Sequence, residues 1–64
     1  MDYLLVIDNA TGEGRIMTLA EAAALTLIEA ADIERSILVF GVCQSMDFVI
    51  VDTEAAENID ALAA

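Results

Sequence analysis

Two neighbouring segments, "ILVFGVC" at residues 37–43 and "DFVIVD" at residues 47–52, carry apolar side chains at consecutive rather than alternate positions. Both are rich in β-branched and aromatic residues, and the polar break "QSM" between them has hairpin length, so two strands are expected. Successive side chains of a strand point to opposite faces. Ile37, Val39 and Val49 then point one way and Leu38, Phe40, Phe48 and Ile50 the other, which leaves both faces of a sheet in need of cover. One helix cannot cover both.

The rest of the chain supplies three more elements. Residues 3–7, "YLLVI", form a short β-rich run that ends in the turn residues of "DNATGEG". A helix follows from about Thr18, because Glu21 stands three residues after Thr18, the spacing at which each side chain satisfies an amide at a helix start. Over "TLAEAAALTLIEAAD" a helical period gathers Leu19, Ala20, Ala23, Ala24, Leu27, Ile28 and Ala31 on one half, with Glu21, Glu29 and Asp32 on the other. After the third strand, Asp52 or Thr53 can cap a short C-terminal helix whose Ala55, Ile59 and Leu62 recur along one side and could cover part of the second sheet face.

The expected fold is therefore α+β with the order β-α-β-β-α. It has a three-stranded antiparallel sheet in the order 1-3-2, a long helix packed on it and a short C-terminal helix. At 64 residues this is one domain, 1–64, and it would bury only about 60% of its unfolded surface. A small second helix can leave apolar sheet exposed, so a monomer or a weak homodimer is expected.

Residue usage excludes most chemistry. There is no His, and Cys43 has no Lys or His nearby in sequence and ends an apolar run, so it is expected as an inert core thiol. No enzyme activity is expected, and no cofactor or metal. "TGEGR" lacks the Lys-Ser/Thr ending of a phosphate loop. Counted from Asp8, a calcium loop would need Glu at Leu19 and Gly at Glu13. No apolar run reaches the roughly 18 residues of a membrane span. The lack of a basic leader and the single Cys point to a reducing cytoplasm.

Charge is the one extreme property. Twelve acids face two bases, Arg15 and Arg35, for a net charge of −10, which rules against direct nucleic-acid binding. Acid aids solubility, but repulsion among twelve carboxylates destabilises a domain with little to spare, so solubility alone accounts poorly for the missing bases. Glu54, Glu57 and Asp60 recur every three residues, an axial step of about 4.5 Å on a helix, against a phosphate about every 3.4 Å along one DNA strand. Asp52 adjoins that row. Glu21, Glu29 and Asp32, continued by Glu34, would form a second row on the long helix.

In small size, acidity, absence of His and Lys, and element order, the chain resembles the phage-encoded anti-CRISPR proteins that mimic double-stranded DNA. Around "ATGEGRIMTLAEAAALTLIEAAD" it is similar to inhibitors of type I-C systems. The resemblance implies an inhibitor, working in the cytoplasm of an infected bacterial host, that occupies the basic groove where a Cascade surveillance complex reads the PAM. Its contact residues would be Glu21, Glu29, Asp32, Glu34, Asp52, Glu54, Glu57 and Asp60. The alternative is a small structural or antitoxin-like interaction module that uses an exposed apolar sheet face and is acidic for solubility.

Overall fold

The computed structural model describes residues 2–53. The elements run β1 (Leu4–Asp8), β2 (Gly14–Met17), α1 (Leu19–Thr26), α2 (Ala30–Phe40), β3 (Cys43–Gln44) and β4 (Phe48–Asp52). The architecture is α+β, as expected, but the order is β-β-α-α-β-β. The sheet has four strands in the order β2-β1-β4-β3, all pairs antiparallel, rather than three. The expected C-terminal helix lies outside the described residues.

The expected neighbours survive inside the larger sheet: β4 lies between β1 and β3. The extra strand comes from the stretch expected to be only a turn. Asp8 Oδ1 accepts the Ala10 amide at 2.8 Å, Gly12 adopts φ 76°, and the Gly12 amide donates to the Asp8 carbonyl at 2.7 Å. This tight turn sends "GRIM" back along β1, where Leu5 pairs with Ile16 and Ile7 with Gly14. A Cβ on Gly14 would sit 3.1 Å from Leu5 Cδ1, so the glycine leaves room for that leucine.

The long helix is also corrected. α1 starts as expected at Thr18, but it ends at Thr26 because Leu27 enters the left-handed region at φ 62°. The Thr26 hydroxyl donates to the Ala22 carbonyl at 2.7 Å and accepts the Ile28 amide at 3.4 Å, offering the backbone a local alternative to continued helix. With the helix broken, Ala22 rather than Ala20 or Ala24 becomes the buried alanine, and Leu27 is 90% exposed. A non-glycine residue in this region costs roughly 1–2 kcal/mol. Leu27→Gly, which loses almost no packing, is expected to raise stability by about 1 kcal/mol in urea unfolding; an unchanged or lower midpoint would contradict the assignment.

The second correction falls on residues 37–43. Residues 37–40 are the last turn of α2, which Gly41 closes at φ 79° with its amide on the Ile37 carbonyl at 2.9 Å; only Cys43 of that segment is in a strand. Burial of Ile33 and Ile37, four apart on one helical face, outweighs the β preference of "ILVF". Leu38, Val39 and Phe40 are left exposed.

Both helices cover one sheet face. Leu4, Val6, Cys43 and Ile50 point toward them and form the core with Ala22, Ile33 and Ile37; Met17, Leu19, Ala23, Ile28 and Phe48 pack around it. Cys43 is thus a core residue. The opposite register holds Leu5 and Ile7 of β1, Gly14 and Ile16 of β2, Gln44 of β3, and Val49 and Val51 of β4. Tyr3 and Thr53 extend it, with the Thr53 hydroxyl donating to the Tyr3 carbonyl at 3.3 Å. No helix among the described residues lies on this side.

Candidate partner-binding surface

The sequence points to carboxylates, and the fold decides which of them stand together. Glu21 is the third residue of α1 and is committed locally. Its Oε1 accepts the Thr18 amide at 3.1 Å and the Thr18 hydroxyl at 3.0 Å, while the Glu21 amide donates to Thr18 Oγ1 at 3.2 Å. The bond from the Thr18 amide, then that from its hydroxyl, hold the Glu21 carboxyl below its ordinary value. Because folding lowers this pKa, the linked stabilisation is present above the unfolded-state value and is lost as pH falls through the folded-state one.

Glu29 is the N-cap residue of α2 and is exposed; Asp32 follows in its first turn, and Glu34 is exposed one turn on. Asp32 accepts a 2.8 Å ion pair from Arg35, whose side chain is 75% exposed, so the pair contributes little stability but removes one carboxylate from the free negative surface. The break at Leu27 puts Glu21 on a different helix from Glu29, Asp32 and Glu34. The single carboxylate row expected along one helix is therefore not formed. Asp52 is half-buried at the end of β4, opposite Leu4. Glu54, Glu57 and Asp60 lie outside the described residues.

A second acidic group was not singled out by sequence. The two turns at one end of the sheet are laced together: the Asn9 amide donates to the Asp47 carbonyl at 2.8 Å, and Asn9 Nδ2 to the Met46 carbonyl at 3.2 Å. This brings Asp8, Glu13 and Asp47 to the same end. The signal available in sequence was three acids in turn segments, which carries no pairing information. Beside them a shallow cleft of about 180 Å³ has apolar walls of Val6, Met17, Leu25 and Phe48 and a rim of Asp8, Glu13 and Arg15.

No family model, curated protein or solved structure matches this chain. Among the described residues no group of three or more His, Cys, Asp or Glu is placed to hold a metal ion, and no helix is long and apolar enough to cross a membrane. Two arginines cannot neutralise twelve carboxylates, so internal pairing leaves the surface strongly negative. Exposed carboxylates on a folded frame can do one thing well: attract and orient a positively charged partner.

Proposed function

We propose that this protein inhibits a nucleic-acid-binding complex by presenting carboxylates in place of DNA phosphates, and that its target is the basic PAM-reading groove of a type I Cascade complex in a bacterial host infected by phage. The observation that carries the proposal is a net charge of −10 on a folded α+β domain with only two basic residues. The longest dimension, 34 Å, supports it, being close to one turn of duplex DNA at about 34–36 Å.

The fold shifts emphasis among the contact residues. Glu29 and Glu34 are exposed around the start of α2, whereas Glu21 is held by Thr18 and Asp32 by Arg35. Glu54, Glu57 and Asp60 continue as contacts on their sequence spacing, and Asp52 adjoins them. No bond is made or broken in this mechanism: association is steered by opposite charge, and inhibition follows from occupancy. Pre-incubating a type I-C Cascade complex with the protein is expected to prevent capture of a PAM-bearing duplex; unhindered capture would contradict the proposal.

A second reading, the apolar interaction module, has its own observation in the sheet face that no described helix covers. The two differ in salt dependence. Charge mimicry weakens at about 0.5 M salt, where the Debye length is under roughly 5 Å, whereas apolar docking persists.

A further inference from the structure

On the sheet face that no described helix covers, Leu5 pairs with Val51 and Ile7 with Val49, and no ladder position of the described strands is charged. The charged ladder residues Asp8, Arg15 and Asp52 all fall in the other register. An antiparallel sheet with one face in water normally alternates apolar and polar residues, so this register is that of a face built to be covered.

The point where β4 ends identifies the cover. Thr53 leaves the ladder beside Tyr3, whose carbonyl accepts the Thr53 amide at 3.5 Å and the Thr53 hydroxyl at 3.3 Å, and the backbone turns helical there. The sequence that follows is amphipathic on a helical period. Ala55, Ile59, Leu62 and Ala63 fall within an arc of about 100°, and Glu54, Glu57 and Asp60 within an arc of about 120° on the opposite side. We propose that residues 54–64 continue the helix begun at Thr53 and dock on this face, with Ile59 and Leu62 seated on Leu5 and Val51, the row nearest Thr53, and the three acids held outward.

Length, tether and charge select this occupant over a partner in solution. Eleven residues follow Thr53 and span about 16 Å as a helix, close to the roughly 17 Å of a five-residue strand. A segment joined directly to the face meets it at an effective concentration of about millimolar, ahead of a dilute partner. A second chain of net charge −10 would have to be drawn in against repulsion, whereas the segment turns its own acids away from the contact. A helix this short is marginal in water by itself, so its formation and its docking are one event. Docking fixes Glu54, Glu57 and Asp60 as one outward row. The use of that row in inhibition rests on the proposed function above, but the docking does not, and it occupies the face that the apolar interaction module would use.

Methyl NOE spectroscopy of the isotopically labelled full chain tests the docking without any partner. The expected result is cross-peaks from the Ile59 and Leu62 methyls to those of Leu5 and Val51, unchanged on dilution. They should be absent from an isotope-filtered spectrum of mixed labelled and unlabelled chains. Ile59→Asp is expected to remove them, to lower helical ellipticity and to lower the melting temperature by about 10 °C, while cross-peaks among Leu4, Val6 and Ile50 of the helix-covered core persist. Should that variant unfold, the wild-type spectra still decide. Absence of the cross-peaks in the folded wild type overturns the proposal, as does an unchanged melting temperature for Ile59→Asp. Cross-peaks that appear only between differently labelled chains also overturn it, and assign the face to a second copy.

Discussion

Ile50→Ala is expected to lower the unfolding free energy by about 3 kcal/mol, within the range of about 2–5 kcal/mol for truncating a buried isoleucine. Ile50 is fully buried at the centre of the helix-covered face, opposite Val6 on β1 and Cys43 on β3, so truncation leaves a void between sheet and helices rather than a surface dimple. A domain of this size has a total stability of about 3–10 kcal/mol, so the loss is a large share of it. At roughly 4–8 °C per kcal/mol, the melting temperature should fall by roughly 12–24 °C. The neighbouring Val49→Ala, on the face that no described helix covers, is expected to cost about 1 kcal/mol or less, since Val49 is only half-buried among the described residues. Urea unfolding of both variants measures the contrast. Equal losses would mean that the two faces have been assigned wrongly.

Reversing Glu54, Glu57 and Asp60 together to Lys is expected to weaken binding to the basic groove about a thousandfold. Three reversals of two charge units each move the net charge from −10 to −4 and replace three attractions by repulsions. Close charge pairs across protein interfaces couple by about 1.5–7 kcal/mol, and only about 1.4 kcal/mol for each site already gives three factors of ten. The loss should include slower association, because long-range steering scales with charge. It should also shrink as salt is added, since screening weakens the wild-type attraction and the mutant repulsion alike. Glu21→Lys is a poor substitute, because it also removes the carboxylate half of the capping box on α1. Full inhibition by the folded triple variant would exclude these acids as contacts.

What the sequence made legible follows from how local each signal is. The start of α1 was legible because Thr18 and Glu21 satisfy each other within one turn. β1 and β4 were legible as β-rich runs bounded by turn residues, and their antiparallel adjacency followed from the avoidance of crossovers. α2 was not. Its last turn, "ILVF", looks like a strand, and the deciding facts are the burial of Ile33 and Ile37 against the sheet and a left-handed Gly41. Leu27 gives no sequence warning of a helix break, since a bulky residue at φ 62° is sustained by its surroundings rather than by preference. β2 was hidden because Gly14 and Arg15 carry no strand signal; pairing with β1 creates the strand.

The candidate surface shows the same division. The capping role of Glu21 was readable, as was an excess of acid that two arginines cannot answer. The separation of Glu21 from Glu29, Asp32 and Glu34 was not, because it depends on the break at Leu27. Nor was the gathering of Asp8, Glu13 and Asp47, which depends on contacts between turns more than thirty residues apart. The need to cover both sheet faces, by contrast, outlived the misplaced strand: Val49 and Val51 still face away from the helices beside Leu5 and Ile7.

The proposed replacement of phosphates by carboxylates at one basic groove can be challenged by a competition titration. A PAM-bearing duplex is titrated into guide-loaded type I-C Cascade at increasing fixed concentrations of this protein, at about 0.1 M and about 0.5 M salt. Competition for one groove requires an apparent duplex Kd that rises linearly with protein concentration at an unchanged plateau, with most of the effect gone at the higher salt. Duplex binding of unchanged affinity to Cascade saturated with the protein would contradict it.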